Sequence, residues 1–169
     1  MNSIAPRSMT DRMIGAAKLD ISVYEEVEAD TTATGQAAGV VAIVALCSAL
    51  GGVGGGASGA FSGLIAALVG WAIWAGVTYL IGDKLLGGTA TWGELLRTLG
   101  FAQAPGVLFV LGGIPLLGAI VGFAVGLWIL VTGVVAIRQA LDFGTGRAIA
   151  TALLGFIPYA LLAVLLRVN

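Results

Sequence analysis

Three stretches of this chain contain no Asp, Glu, Lys or Arg: Thr31 to Gly82 (52 residues), Thr98 to Ile137 (40) and Ala148 to Leu166 (19). A bilayer-crossing helix takes about 20 residues at ~1.5 Å rise each. The first stretch therefore has room for two spans and a turn, the second for two and a tight turn, and the third for one. Composition agrees: 59% of residues are hydrophobic and only 10% charged, where soluble domains carry roughly a quarter charged. One soluble domain of this length would need a polar cover that the sequence does not supply. The expected fold class is all-α, an integral membrane bundle of five transmembrane helices with a short amphipathic cytoplasmic segment before it.

Glycine and proline set the boundaries. The run Gly51 to Ser58 disfavours helix and reads as an external hairpin loop, and Gly112, Gly113 and Pro115 break the second long stretch. The predicted division is a segment 1–33 and a membrane domain 34–169, with spans at about 35–50, 59–81, 93–111, 116–140 and 148–166. A shorter alternative leaves 93–111 as a re-entrant segment. Arg7, Arg12 and Lys18 precede span one, Lys84 and Arg97 lie at the second-to-third connection, and Arg138 and Arg147 flank the fourth-to-fifth. Only Arg167 falls on the other side. Positive charge marks the cytoplasmic side, so the amino terminus is expected in the cytoplasm and the carboxyl terminus outside. About 30 polar or amphipathic residues precede the first apolar run, unlike a cleavable signal, so the amino terminus is expected to remain.

Within the amino-terminal segment, Met13, Ala17, Ile21 and Tyr24 fall at helical spacing while Asp11, Arg12, Lys18, Asp20 and Glu25 take other positions. That pattern predicts one or two short amphipathic helices. Ser22-Val-Tyr-Glu25 matches a capping box and would start a helix. Glu25, Glu26, Glu28 and Asp30 make its far end acidic, which anionic head groups would repel. Docking on the chain's own cytoplasmic face, or on a partner, is the expected use. Thr91-Trp-Gly-Glu94 is a second capping box opening span three, and Pro105 should kink that span.

Gly118, Gly122 and Gly126, and likewise Gly59 and Gly63 with Ala67, recur every four residues. Small residues at this spacing let membrane helices approach closely. Packing inside the bundle is expected, with a homo-oligomer face as the alternative. Asp83, Lys84, Glu94, Arg97, Arg138, Asp142 and Arg147 gather at the predicted cytoplasmic ends of spans two to five. Glu94 with Arg97, and Arg138 with Asp142, have the spacing to pair on one helix face. The alternative is a ring that grips a partner. Trp71, Trp74, Tyr79, Trp92 and Trp128 read as interface anchors or packing.

Several functions are disfavoured. Eight scattered Lys and Arg residues at net charge −1 offer no basic stripe for nucleic acid. One cysteine, Cys47, and no histidine exclude an internal disulfide and Cys/His metal sites. The glycine run lacks the strand and Lys-Ser/Thr of a phosphate loop. No catalytic residue, cofactor or metal is expected, and Cys47 and Ser48 lie away from any base.

The stretch from about Thr91 to Pro158 resembles the Yip family, the Ypt/Rab-interacting membrane proteins, in a form common among prokaryotic sequences. The resemblance rests on Thr91-Trp-Gly-Glu94-Leu-Leu-Arg97, on Gly100-Phe101 followed by Pro105, on a span bearing Trp128, and on Ala136-Ile-Arg138-Gln-Ala-Leu-Asp142-Phe-Gly-Thr-Gly-Arg147. It implies a five-span bundle with a cytosolic amino terminus, in the inner membrane of a prokaryote. It nominates Glu94, Arg97, Gly100, Phe101, Pro105, Arg138, Asp142 and Arg147 as a partner or packing face. The acidic-Leu-Tyr-Gly-Pro motif of eukaryotic relatives is absent, Asp20-Ile-Ser-Val-Tyr24 being the nearest text, and Phe101 stands where they often have Tyr. Both departures count against a Rab-type GTPase partner. The expected role is a non-enzymatic scaffold or adaptor for other membrane proteins, with an accessory subunit of a larger complex, then a small transporter or channel, as alternatives.

Overall fold

The computed structural model describes residues 7–53 and 56–155, the side chains of 53–58 excepted. Helices α1 (Met9–Ala17) and α2 (Ile21–Ala29) form a short hairpin ahead of α3 (Ala33–Ser48), which runs on through a π-type turn, Ala49–Val53. Next come α4 (Gly56–Tyr79) with a π-type end Leu80–Leu85, α5 (Trp92–Ala102), a 3₁₀ segment Ala104–Gly113 and α6 (Gly118–Ala140). A last helix, α7, occupies 145–155.

Among the described residues four helices are long and apolar enough to cross a membrane: Ala33–Gly52, Gly59–Leu85, Trp92–Gly113 and Gly118–Ala140. They match the first four predicted spans. The fifth, 148–166, lies largely outside the described residues, so four crossings are described where five were expected.

The hairpin turns at Leu19, which takes a left-handed φ of 63° while Asp20 N–H bonds back to Gly15 O. Its helices are capped differently from the expectation. Asp20, not Ser22, caps α2: its carboxylate accepts from Ser22 N–H at 3.0 Å, and Ser22 lies inside the helix. The Asp side chain, two residues ahead, reaches the free amides first. At α5 the capping box forms as expected, with Glu94 N–H bonding Thr91 Oγ1 and Thr91 N–H bonding Glu94 Oε2.

Pro105 changes the helix type. α5 ends at Ala102, Gly106 N–H turns to Gln103 O at 2.8 Å, and the chain tightens into the 3₁₀ segment. Pro105 has no N–H to offer, so the Ala102 carbonyl loses its helical donors, and Thr132 Oγ1 of α6 donates to it at 2.6 Å. That bond ties α5 to α6.

Two close contacts onto α3 fall at glycines other than the repeating ones. A Cβ on Gly100 would stand 2.7 Å from the Ala37 Cβ, and one on Gly106 would stand 2.5 Å from Val44 Cγ1. These two positions let α5 and the 3₁₀ segment press against α3. By contrast a Cβ on Gly63, Gly122 or Gly126 meets nothing within 4 Å among the described residues. The expected packing of those faces inside the bundle is therefore not seen there. Gly118 does pack, but only against the Gly112 carbonyl of its own turn. The core joins Val40, Val41 and Val44 of α3, Leu95, Leu99 and Phe101 of α5, Ala136 and Ile137 of α6, and Val23, Tyr24 and Val27 of the hairpin.

Candidate functional site

The polar chemistry is concentrated where the hairpin meets α3, α5 and the ends of α4 and α6. Arg12, on α1, is 1% exposed. It shares a helix face with Ala16 and Met9, so it points into the bundle. Its guanidinium donates to Glu26 Oε1 at 3.0 Å, to Asp30 Oδ2 at 2.7 Å and to Gln36 Oε1 at 3.0 Å, closing α1, α2 and the start of α3 around one cation. Arg7 adds a second contact to Glu26 at 2.7 Å. Thr32 and then Arg12 hold the Asp30 carboxyl below the usual carboxylate range.

Arg97 supplies the other clamp. At 6% exposed, it donates through Nε to Val27 O at 2.9 Å and to Glu28 O at 3.1 Å, and its Nη2 also bonds Glu28 O. These carbonyls belong to the last turn of α2, where a helix leaves acceptors unpaired and carries negative partial charge. Tyr24 fixes the hairpin's inner side by donating to Ala16 O at 2.9 Å. Trp128 of α6 donates to Ala17 O at 2.8 Å.

The two expected ion pairs do not form. Glu94 is occupied by the Thr91 cap, and Arg97 reaches α2 instead. Asp142 lies past the end of α6 in a left-handed conformation, φ 53°, while Phe143 N–H bonds back to Arg138 O. Its carboxylate accepts from Thr89 Oγ1 at 3.0 Å, far round from Arg138. Arg147 stacks 4.6 Å over Phe143 and bonds Leu86 O at 3.3 Å. Lys84 pairs with Asp83 at 2.7 Å. The connections 86–91 and 141–147 are thereby joined.

Of the nominated face, Arg97, Gly100, Phe101 and Pro105 are buried, the first three beneath the hairpin and α3 and the last in the helix switch. They serve the chain itself. Asp142 and Arg147 are exposed, and Glu94 and Arg138 are partly so. Glu28, half-buried, has its carboxyl pushed up to about 7, first by desolvation and then by Glu94 and Asp142. Trp71 and Trp92, read as interface anchors or packing, donate to Leu96 O at 3.0 Å and Ala72 O at 3.3 Å and so pin α4 to α5. Arg12, Glu26, Asp30 and Gln36 were missed as a cluster. The signal was available in Arg12's place on the Met9–Ala16 face.

A family model described as the Yip1 domain matches residues 23–167. The chain belongs to the Yip1 family. No curated protein and no solved structure gives a significant match. The Yip1 match begins inside α2, at Val23, and takes in Arg97 and the carbonyls that it caps. Among the described residues of this Yip1-family membrane protein, no group of three or more Cys, Asp or Glu is arranged to hold a metal ion.

Proposed function

We propose that this Yip1-family protein is a non-enzymatic scaffold or adaptor that organises other membrane proteins through the charged end of its bundle. The observation that carries this reading is the double clamp on the hairpin: Arg12 inside it and Arg97 beneath it turn an otherwise short polar segment into a fixed platform. Lys18, Asp20 and Glu25 of the hairpin, with Lys84, Asp142 and Arg147 of the adjoining turns, stay exposed around it. A mixed-charge, rigid rim suits protein recognition, where charge sets orientation and partner choice. The distribution of Lys and Arg supports placing this end in the cytoplasm of a prokaryotic cell.

The transporter alternative finds little support. Gln36 is bound to Arg12 and Thr132 to Ala102 O, so these two polar groups are spent on the fold. Isolation of the tagged chain from its native membrane in mild detergent tests the adaptor reading. A stoichiometric companion, lost on combining Lys18→Glu with Glu25→Lys while the thermal melt is unchanged, is the expected result. A chain that purifies alone, or a companion indifferent to the rim, overturns it.

A further inference from the structure

The helices α3 and α4 are in contact, but the small-residue wall of α4 does not fill the space beside α3. Instead a hollow of about 290 Å³ remains between them, lined by Val41, Val44, Ala45, Ser48 and Ala49 on α3 and by Gly59, Ala60, Gly63 and Ala67 on α4, with Gln103 and Phe109 behind. It falls within the spans Ala33–Gly52, Gly59–Leu85 and Trp92–Gly113. Removing side chains from a helix face brings backbones together only if the helices approach. Here the missing side-chain volume is left as space, and a Cβ on Gly63 would meet nothing within 4 Å among the described residues.

Two polar side chains reach this hollow. Ser48 spends its proton on Val44 O at 2.9 Å. Gln103 lies at the switch from α5 to the 3₁₀ segment, where its backbone is engaged with Gly100 O and Gly106 N–H, and its side-chain amide finds no hydrogen-bond partner among the described residues. An amide without a partner at membrane depth is costly, because hydrocarbon offers neither donor nor acceptor.

We propose that this hollow binds a neutral single-chain amphiphile from the bilayer, its chain against the Gly59–Ala67 wall and its hydroxyl or carbonyl oxygen on the Gln103 amide. Neutrality follows from the lining, in which no residue is charged, so that an ionised head would stand uncompensated. A single chain follows from size: the volume is at the bottom of the ~300–1,000 Å³ range of small-molecule pockets. Origin in the bilayer follows from depth and from α4 itself, whose Phe61, Gly63, Ile65 and Val69 are exposed in a helix only 17% buried. An apolar cavity with one convergent polar group is the usual pattern of a ligand site.

The test uses the full chain in phosphatidylcholine vesicles, photolabelled with diazirine-bearing hexadecanol or, separately, diazirine-bearing hexadecane, with labelled positions read by peptide mass spectrometry. The alcohol should mark 41–49 and 59–67 over the alkane by roughly fivefold, the worth of one net hydrogen bond. Gln103→Leu should bring the alcohol down to the alkane's level. Gly63→Leu should abolish labelling by both, with Gly63→Ala intermediate should the larger side chain disturb folding, which the thermal melt reports. Equal labelling by the two probes in the unsubstituted chain, alcohol labelling unchanged in Gly63→Leu, or no labelling of the hollow would each overturn the proposal.

Discussion

The segments Trp92–Gly113 and Gly59–Leu85, the second holding most of α4, are both apolar enough to span a bilayer, yet 56% of the first one's apolar stretch and 17% of the second's is buried. The difference is one of chemistry. α5 is wrapped by α2, α3 and α6, and it offers each of them a particular contact: Arg97 for the α2 carbonyls, Gly100 for Ala37, and the Ala102 carbonyl for Thr132. Toward α3, α4 lines the hollow with small side chains, while its indole bonds join it to α5: Trp71 of α4 donates to Leu96 O and Trp92 of α5 donates to Ala72 O. Among lipid tails, apolar surface gains nothing by leaving solvent, so helices hold where backbones touch or polar groups pair. The hydrogen-bonded side of the molecule should therefore be stiff, and its small-residue side tolerant.

The strongest way to break that contrast is Arg12→Met. It leaves Asp30 without its cation and Glu26 with Arg7 alone, which for a buried pair costs about 3–5 kcal/mol, toward the lower figure here because both carboxylates keep a quarter of their surface. The expected outcome is a hairpin released from a bundle that remains assembled. Limited proteolysis within residues 9–32, compared with thermal melting in detergent, separates the two. A hairpin still protected in this variant would mean that apolar contacts from Val23, Tyr24 and Val27 suffice.

Arg97→Met comes next, removing three charge-assisted bonds to the α2 carbonyls, with about 1.5–3 kcal/mol of hairpin docking lost. Arg97→Lys should recover only part of it, since an ammonium cannot fork across two acceptors as a guanidinium does. Hydrogen exchange of the α2 amides ranks the three proteins. If Lys and Arg behave alike, the contact is a point charge on a helix end and nothing more.

Four of the five expected spans were legible in the sequence because they depend on a local quantity, the distance between charges, and the Thr91 box because a cap needs only residues three apart. The docking of the amino-terminal segment was legible from its amphipathic pattern. Other features depended on groups far apart in the chain. Arg97 meets carbonyls some seventy residues earlier, and carbonyls leave no mark in a sequence. Arg12 looked like a solvent-facing charge until Gln36, Asp30 and Glu26 were brought round it. The glycine repeats leave a related question open: spacing says that backbones are able to approach, and only the tertiary arrangement decides whether they do. Gly100 and Gly106 approach α3, while Gly63 and Gly122 stand open.

Proton concentration probes the hairpin more gently. Ionised Glu28 would face Glu94, Asp142 and Glu25, with Arg97 as the one opposing charge, and its carboxyl is raised from 4.5 to about 7 in the docked state. A raised acid favours docking when protonated. Its contribution is complete below the ordinary value of 4.5 and is lost as pH rises through about 7. After screening of a half-exposed group the size is about 1 kcal/mol. Thermal melting followed from about pH 5 to about pH 8, above the range in which Asp20 and Asp30 titrate, should fall with pH, and Glu28→Gln should flatten the curve. A melt that rises with pH would place the controlling charge elsewhere.

The smallest effect is expected on α6, and it bears most directly on the tolerant side. Gly122→Ala and Gly126→Ala place methyl groups where nothing lies within 4 Å among the described residues. Phe123 at 77% and Leu127 at 54% exposed share that open region. In a helix interior alanine is favoured over glycine by about 0.5–1 kcal/mol, because less backbone freedom is lost on ordering. Each variant should therefore melt slightly higher than the unsubstituted chain, or at the same temperature. A loss in either one would mean that the face is closed by helix in the assembled protein. Repeating the melt over a range of protein-to-detergent ratios would then decide between two sources. A loss that deepens on dilution belongs to a contact between copies of the chain, and a loss independent of dilution belongs to a contact within one.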